Sequence, residues 1–445
     1  MSADESIVAE LRAAGVPRAL SPADRGAALE GFDSSVDYRP TAVVRASSPL
    51  DVARAMGVAA SQGAAVVAFG TGHGMPARVD AGVIIATRDL ASVTVDVRAR
   101  TATVGAGATW QDVLSATAGT GLAPTCGSAP GVGVVGLLLG GGIGPLVRQF
   151  GACADAVRSL HIVTPAEGSV VASPTDDAEL FWAARGGKWG LGVVTSVTIE
   201  LVPQDRLVGG GLFFGAGDIE SVARTVIPWA EGLDSATSVS LALLAMPDSP
   251  HVPAPLRNRL VAHLRYASVS DIDRAQRELA PVRAAGSVLL DTVTTIAYEQ
   301  IGSIHADPIT PQPVMSLGAG LGKLDSTAID ALLQVAGPGR DPGITIVELR
   351  LLGGALRTEQ AEPSAMSGRS AQWNLFVSSR GADSAIRAVA DAMEPWRADE
   401  ALINFFGHAN TTDELMRVWS PDQRNRLSAI RERVDTHGLL QSSQP

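Results

Sequence analysis

A histidine set in a glycine turn, directly behind an apolar run, limits this chain more than any other feature. Ala64-Ala65-Val66-Val67-Ala68 reads as a buried strand, and Phe69-Gly70-Thr71-Gly72-His73-Gly74-Met75 follows at once. Without a Cβ, glycine reaches positive φ and lets backbone amides close around an anion. A diphosphate is the natural ligand of such a nest, and His73 would then lie beside whatever ring the diphosphate carries. Two more glycine segments follow in order. One is the tract from Gly127 to Gly144; the other is Arg185-Gly186-Gly187-Lys188-Trp189-Gly190-Leu191-Gly192-Val193-Val194-Thr195, which runs into a strand.

Composition narrows the classes. At 445 residues with 46% hydrophobic side chains, the chain can build two large domains or three small ones. A formal charge of −11 argues against a nucleic-acid partner, which would require a basic stripe. No run of about eighteen apolar residues is present to span a bilayer. Met1-Ser2-Ala3-Asp4-Glu5-Ser6 has no signal-peptide character, so a cytoplasmic protein is expected. Cys126 and Cys153 are the only cysteines, which excludes a disulfide framework and a zinc constellation; no metal site is expected. Lysine occurs only at 188 and 323, a poor basis for Schiff-base chemistry. Oligomeric state is not legible.

The pattern divides near Pro203-Gln204-Asp205. Before it, Ser48-Pro49-Leu50-Asp51 starts a helix expected to run to Gln62 and stop at Gly63. Strands are expected at 64–69, 82–86, 92–97 and 101–105, a second helix from Thr109, a hairpin over 157–172, a helix at 176–184 and a strand at 193–201. After it, strands at 207–214, 236–245, 258–267, 344–352 and 372–379 alternate with amphipathic helices at 217–230, 270–284, 325–336 and 382–394. Long strands with helices between them imply an α+β architecture, one antiparallel sheet with helices on one face. Gly131-Val132-Gly133-Val134-Val135-Gly136 fits the dinucleotide fingerprint literally, but no strand is expected before it and no helix after it, so a Rossmann site is rejected.

The three glycine segments, in this order and spacing, resemble the berberine-bridge-enzyme-like branch of the vanillyl-alcohol-oxidase (PCMH-type) FAD flavoproteins. The resemblance covers about residues 36–205 strongly and the C-terminal segment more weakly. It implies an FAD-binding domain over 1–205 with its core at 36–205, a substrate domain over 206–398, and a segment 399–445 that returns to complete the flavin site. It further implies that Gly70, Thr71, Gly72, Gly74 and Met75 hold the FAD diphosphate while His73 carries the flavin through an 8α bond. Gly127, Ser128, Gly133, Val134, Gly136, Leu137, Gly141 and Gly142 would lie against the cofactor, and Gly192 and Val194 would offer main chain to its adenine end. Gly127 falls where a small residue is thought to admit dioxygen, the expected electron acceptor. Bicovalent relatives place a cysteine where this chain has Ala129, with Cys126 three residues too early, so a single link is implied. Asp155 matches an acidic position and is expected to fix a turn through its side chain.

The C-terminal match is Leu402-Ile403-Asn404-Phe405. Relatives commonly carry a tyrosine base where this chain has Leu402, while Asn404, expected near the flavin, is kept. Another residue serves as base, or the substrate needs none, or no net oxidation occurs. Strand parity points to replacements, since residues two apart share a face. Glu348 and Arg350 share one face, as do His263 and Arg265, and Asn374 lies opposite Trp373 and Leu375. With the apolar faces on helices, these polar faces become the pocket wall: Glu348 or His263 as base, Arg350, Arg265, Asn374 and Leu402 as substrate contacts, and His305 and His408 as further candidates. The reading is a flavin-dependent oxidoreductase taking hydride from a C–H next to oxygen or nitrogen of a small secondary metabolite. A flavoprotein cyclase or isomerase without net redox turnover, and a flavin-bearing binding protein, are the alternatives.

Overall fold

The computed structural model describes residues 3–75, 78–339, 343–358, 360–381 and 383–440. Its first part opens with the helix Ala3–Ala13 and the short strand Ala19–Leu20, followed by the strand Asp37–Arg45 and the helix Pro49–Gln62. Ser48 and Asp51 form a reciprocal capping box at the helix start, and Gly63 closes it at φ +61°, a left-handed conformation costly for other residues. This helix is the crossover that lets Asp37–Arg45 and Val66–Phe69 lie parallel to Arg78–Ala86, one on each side of it. A second, antiparallel sheet runs Val93–Asp96, Thr101–Gly105, Val193–Val202, Val157–Thr164, Gly168–Ala172 in space. Helix Trp110–Thr117 covers it behind a second capping box, Thr109 with Asp112.

The other part is an eight-stranded antiparallel sheet. From one edge its spatial order is Val288–Asp291, Arg206–Gly215, Leu260–Ser268, Thr237–Ala245, Ile344–Leu351, Trp373–Ser379 and Met315–Leu321; Thr294–Ala297 also pairs with Arg206–Gly215. Helices Ile219–Glu231, Ile272–Arg283, Ser326–Ala336 and Asp383–Met393 pack on one face. Leu212, Leu264, Leu241, Leu349 and Leu375, successive partners across five strands, point into that layer and build its apolar core. Position 382, part of the last expected helix, lies outside the described residues.

The chain then returns. Helix Pro421–Val434 sets Leu427, Ile430 and Val434 into the core of the first part, and Val66 donates its amide to the Leu439 carbonyl at 2.7 Å. Among the described residues no helix is long and apolar enough to cross a membrane. One local expectation is corrected. A helix, Val134–Leu138, does form inside the fingerprint-like tract. It lasts five residues and is joined to an antiparallel sheet, so the tract still lacks the strand–turn–long-helix unit of a Rossmann site.

Candidate functional site

The turn after Phe69 is held from outside, with its amides left over. Phe32 donates its amide to the Thr71 carbonyl at 3.0 Å, Arg88 Nε donates to the Gly70 carbonyl at 3.0 Å, and His408 Nε2 donates to the Met75 carbonyl at 2.9 Å. Among the described residues, none of the amides of Gly70, Thr71, Gly72, His73, Gly74 or Met75 has a protein acceptor. Gly72 sits at φ +73°, and a Cβ there would come within 2.6 Å of Gly31 Cα. The turn therefore needs glycine both for conformation and for close approach. Successive N–H groups without protein acceptors, with carbonyls tied back, are the electrostatics of an anion nest.

His73 stands at the end of this nest. Its Nδ1 lies 2.9 Å from Thr71 Oγ1, and its ring stacks on Phe32 at 4.2 Å between centroids. Beyond that stack His73 is solvent-exposed. Desolvation pushes its pKa down to about 4, against the opposing charge of Asp307. It is therefore a neutral nitrogen base at neutral pH.

Thr71 Oγ1 also accepts the Gly133 amide at 3.2 Å, which fastens the second glycine tract beside the first. A Cβ at Gly70, Gly131 or Gly136 would meet nothing within 4 Å, so these glycines border open space. Gly127 backs onto the Leu137 side chain, and Ser128 Oγ donates to Asp307 at 2.9 Å. Val134 and Val194 bury their side chains in the first core, leaving only main chain for a ligand. Gly141 and Gly142, both at positive φ, press against Met366 and Cys153. Gly192, at φ +122°, lies against Ile162 and the Val163 carbonyl. Both cysteines are free and buried. Asp155 does cap the turn that follows, accepting the Ala152 amide at 2.9 Å, and it also pairs with Arg369 at 2.5 Å.

The third glycine segment brings a group that sequence reasoning did not place in the site. Lys188 donates from Nζ to the Gly136 carbonyl at 2.8 Å and to Asn404 Oδ1 at 2.7 Å. Asn404 Nδ2 in turn donates to the Leu137 carbonyl at 2.8 Å. A Cβ on Gly74 would lie 3.8 Å from Nζ, so the ammonium borders the His73 turn itself. Burial brings its pKa down to about 8. The available signal was scarcity: one of only two lysines in the chain stands inside a glycine loop.

The large sheet turns its polar face to the end of the second glycine tract, at Gly144 and Pro145. Arg265, Ser240, Arg350 and Asn374 are successive partners in one row, and His263, Ala242, Glu348 and Phe376 form the next. Expected parity thus unites Glu348, Arg350, His263, Arg265 and Asn374 on one face, all buried. Arg265 Nη1 donates to Glu348 at 2.8 Å, and Arg350 Nη2 reaches both carboxylate oxygens at 3.1 and 3.2 Å. Burial alone would raise the Glu348 pKa; Arg350 and Arg265 outweigh it and hold the carboxyl well below the usual range. His263 stacks on Phe213 at 3.9 Å and is kept neutral by burial and by Arg265. His305 faces the same cavity, its Nε2 3.6 Å from Glu348, outside hydrogen-bond range, and burial lowers its pKa to about 4.

This wall meets the glycine segments through Phe405. The Arg350 guanidinium lies 5.6 Å from the Phe405 ring centroid, and Phe405 adjoins Asn404 in sequence. Between wall and glycine tract lies a narrow cavity of about 10 Å³, lined by Gly144, Pro145, Ser240, Arg265, His305 and Arg350 among others. Leu402 is buried with Ile143, Val147 and Met366 in an apolar cluster and has no atom that accepts a proton.

Residues 40–173 match the family described as FAD binding domain. The (R)-6-hydroxynicotine oxidase of Paenarthrobacter nicotinovorans is 27% identical over 287 residues, which span 62% of this chain and 61% of that protein. Two solved structures share the whole fold. The glucooligosaccharide oxidase of Acremonium strictum, described with a 6-S-cysteinyl, 8α-N1-histidyl FAD, superposes with a TM-score of 0.82 at 20% identity over 98% of both chains. The BBE-like 1 protein of Physcomitrella patens superposes with a TM-score of 0.82 at 16% identity, over 100% of this chain and 99% of that one.

Proposed function

From a chain that carries an FAD binding domain at residues 40–173 within a fold shared with berberine-bridge-enzyme-like oxidases, we propose an FAD-dependent oxidoreductase acting on a small organic substrate. The residues fit the cofactor. Unpartnered amides from Gly70 to Met75 suit its diphosphate, and His73 suits a single 8α-histidyl attachment, since Ala129 supplies no thiol for a second. Gly131 and Gly136 leave room along the second tract; for Gly192 and Val194 the proposed place is the adenine end.

Bound FAD supplies the acceptor for a hydride leaving a C–H next to oxygen or nitrogen, with dioxygen as the proposed final oxidant. The chain's own residues do the rest. His305, neutral and without a hydrogen-bond partner on either ring nitrogen, takes the proton released from the substrate heteroatom. Glu348, committed to two guanidiniums, is a poor base and orients Arg265 and Arg350 instead. His263, stacked and buried one row away, stands behind them. Lys188 keeps a positive charge at the cleft, bridging Gly136 and Asn404. Leu402 and its apolar cluster keep water from that side.

One observation carries the reading: a ring of free amides ends in a neutral histidine, and Thr71 joins it to the second glycine tract. The test is acid precipitation of the purified protein. A yellow pellet with flavin on the His73 peptide by mass, lost in His73→Ala, is the expected result. Flavin released wholly to the supernatant would remove the covalent link, and a colourless protein that takes up no FAD would remove the cofactor. Anaerobic bleaching by substrate is the mark of oxidation; product formed with the ring unbleached would instead assign a cyclase or isomerase.

A further inference from the structure

The polar wall holds more donors and more positive charge than the protein satisfies. Nε of Arg265, Nε of Arg350, Oγ of Ser240 and both amide atoms of Asn374 are buried without a partner. These four residues form a single row across adjacent strands; Ser240, Arg265 and Arg350 line the cavity, and Asn374 follows Arg350 on the next strand. Glu348 is the only carboxylate among them, facing two guanidiniums. The nearest acid of the neighbouring loop, Asp307, is bonded to Ser128. A third buried arginine, Arg148, is answered only by carbonyls, those of Thr237, Leu352, Leu233 and Asp234 at 2.6 to 3.1 Å. With both histidines neutral, Arg265 and Arg350 against Glu348 leave the wall about one unbalanced positive charge, apart from that of Arg148.

We infer that this strip is the seat of an anionic substrate group, a carboxylate held between Arg265 and Arg350. The substrate role rests on the flavin reading above; the anion site itself does not. A carboxylate is acceptor-only and planar, so it answers two guanidinium donors, the Ser240 hydroxyl and the Asn374 amide together. A neutral alcohol could take some of those hydrogen bonds but leaves the charge unbalanced. A protonated amine is repelled by both arginines. The cavity reaches Gly144 and Pro145, the end of the second glycine tract, so a group seated there extends its remaining carbon skeleton towards that tract. Specificity then comes from charge balance among buried side chains, where a mismatched ligand leaves donors without partners.

The experiment is calorimetric titration of the purified full-length protein with acetate and benzoate, and with benzamide and benzylamine as neutral and cationic counterparts. The visible spectrum of bound flavin is followed alongside. Saturable binding of a carboxylate, at least about tenfold tighter than benzamide and absent for benzylamine, is expected. Arg350→Gln should weaken carboxylate binding about tenfold or more. Glu348→Gln, which removes the competing charge while its amide oxygen still accepts from both guanidiniums, should tighten it, so loss of folding in one variant still leaves the other to decide. Equal binding of benzoate and benzamide, or binding of no carboxylate by a folded protein, overturns the inference. Carboxylate binding by a protein that takes up no FAD would uphold the anion site while removing the flavin reading.

Discussion

Lys188 and Asn404, 216 positions apart in sequence, are joined by a 2.7 Å hydrogen bond from Nζ to Oδ1. The bond fixes the asparagine amide, whose nitrogen donates to Leu137, and closes the third glycine segment on the C-terminal segment. It also leaves an ammonium at the edge of the proposed ring site with a pKa lowered to about 8.

That value makes the pair testable. Below pH 8 the cation favours the extra negative charge of a reduced ring; above it the proton is lost and the favour with it. The reduction potential of bound FAD should therefore show an inflection near pH 8. Lys188→Met should abolish the inflection and lower the potential at neutral pH, while Lys188→Arg should keep the higher potential without the inflection. Spectroelectrochemical titration across that range decides; identical profiles for wild type and Lys188→Met would place the ammonium away from the ring.

Thr71 is the second lever. Its hydroxyl oxygen meets both His73 Nδ1 and the Gly133 amide, so one atom sets the imidazole and the spacing of two glycine tracts. In Thr71→Val the fold persists, because the carbonyl of residue 71 still accepts from Phe32. The attachment of flavin to His73 should slow by about tenfold or more, since a reacting group that loses its orientation loses much of its rate. Thr71→Ser should restore it. In-gel flavin fluorescence against time after adding FAD to apoprotein measures the rate.

The elements of the large sheet were legible because burial on one face imposes alternation, and the same alternation placed Glu348, Arg350, His263, Arg265 and Asn374 together. What parity could not show is that guanidiniums from two strands converge on one carboxylate, since cross-strand register is not written in either strand alone. Met315–Leu321 escaped notice for a different reason. Gly318 and Gly320 stand where a Cβ would come within 2.4 Å of the Phe405 carbonyl and 2.1 Å of the Glu400 carbonyl. The returning segment demands glycine there, and glycine erases the strand signal. The His73 turn was legible because its chemistry is local; Phe32, Asp307, Lys188 and His408, which complete its surroundings, come from distant parts of the chain.

Acid sensitivity should expose the buried histidines. His305 has a folded pKa near 4 against an ordinary value of 6.5, and burial lowers that of His263 in the same direction. Between those values the unfolded chain binds a proton that the folded one refuses, so stability falls as pH drops from about 6.5 to about 4. For His305 alone the full difference is on the order of 3 kcal/mol. His305→Gln should flatten that slope in denaturant titrations repeated across the range. An unchanged slope would mean that the ring takes up its proton in the folded state at ordinary pH.

Two ion pairs of similar length should behave in opposite ways. Arg18 and Asp89 meet at 2.7 Å with side chains 52% and 26% exposed, whereas Arg369 and Asp155 meet at 2.5 Å with 20% and 7%. Water screens the first, so Asp89→Asn should cost less than about 1 kcal/mol. Asp155→Asn leaves the Arg369 guanidinium half-answered in a drier site and weakens the hold on the Ala152 amide, for about 3 kcal/mol. The damage should also reach the cofactor. Arg369 is anchored to Ser364 as well, and the adjoining Met366 packs over Gly141 and Gly186, so loosening this segment opens the back of the glycine tract. Asp155→Asn should therefore retain less FAD on gel filtration and melt earlier, while Asp89→Asn does neither. Equal effects from the two substitutions would show that burial does not separate these pairs.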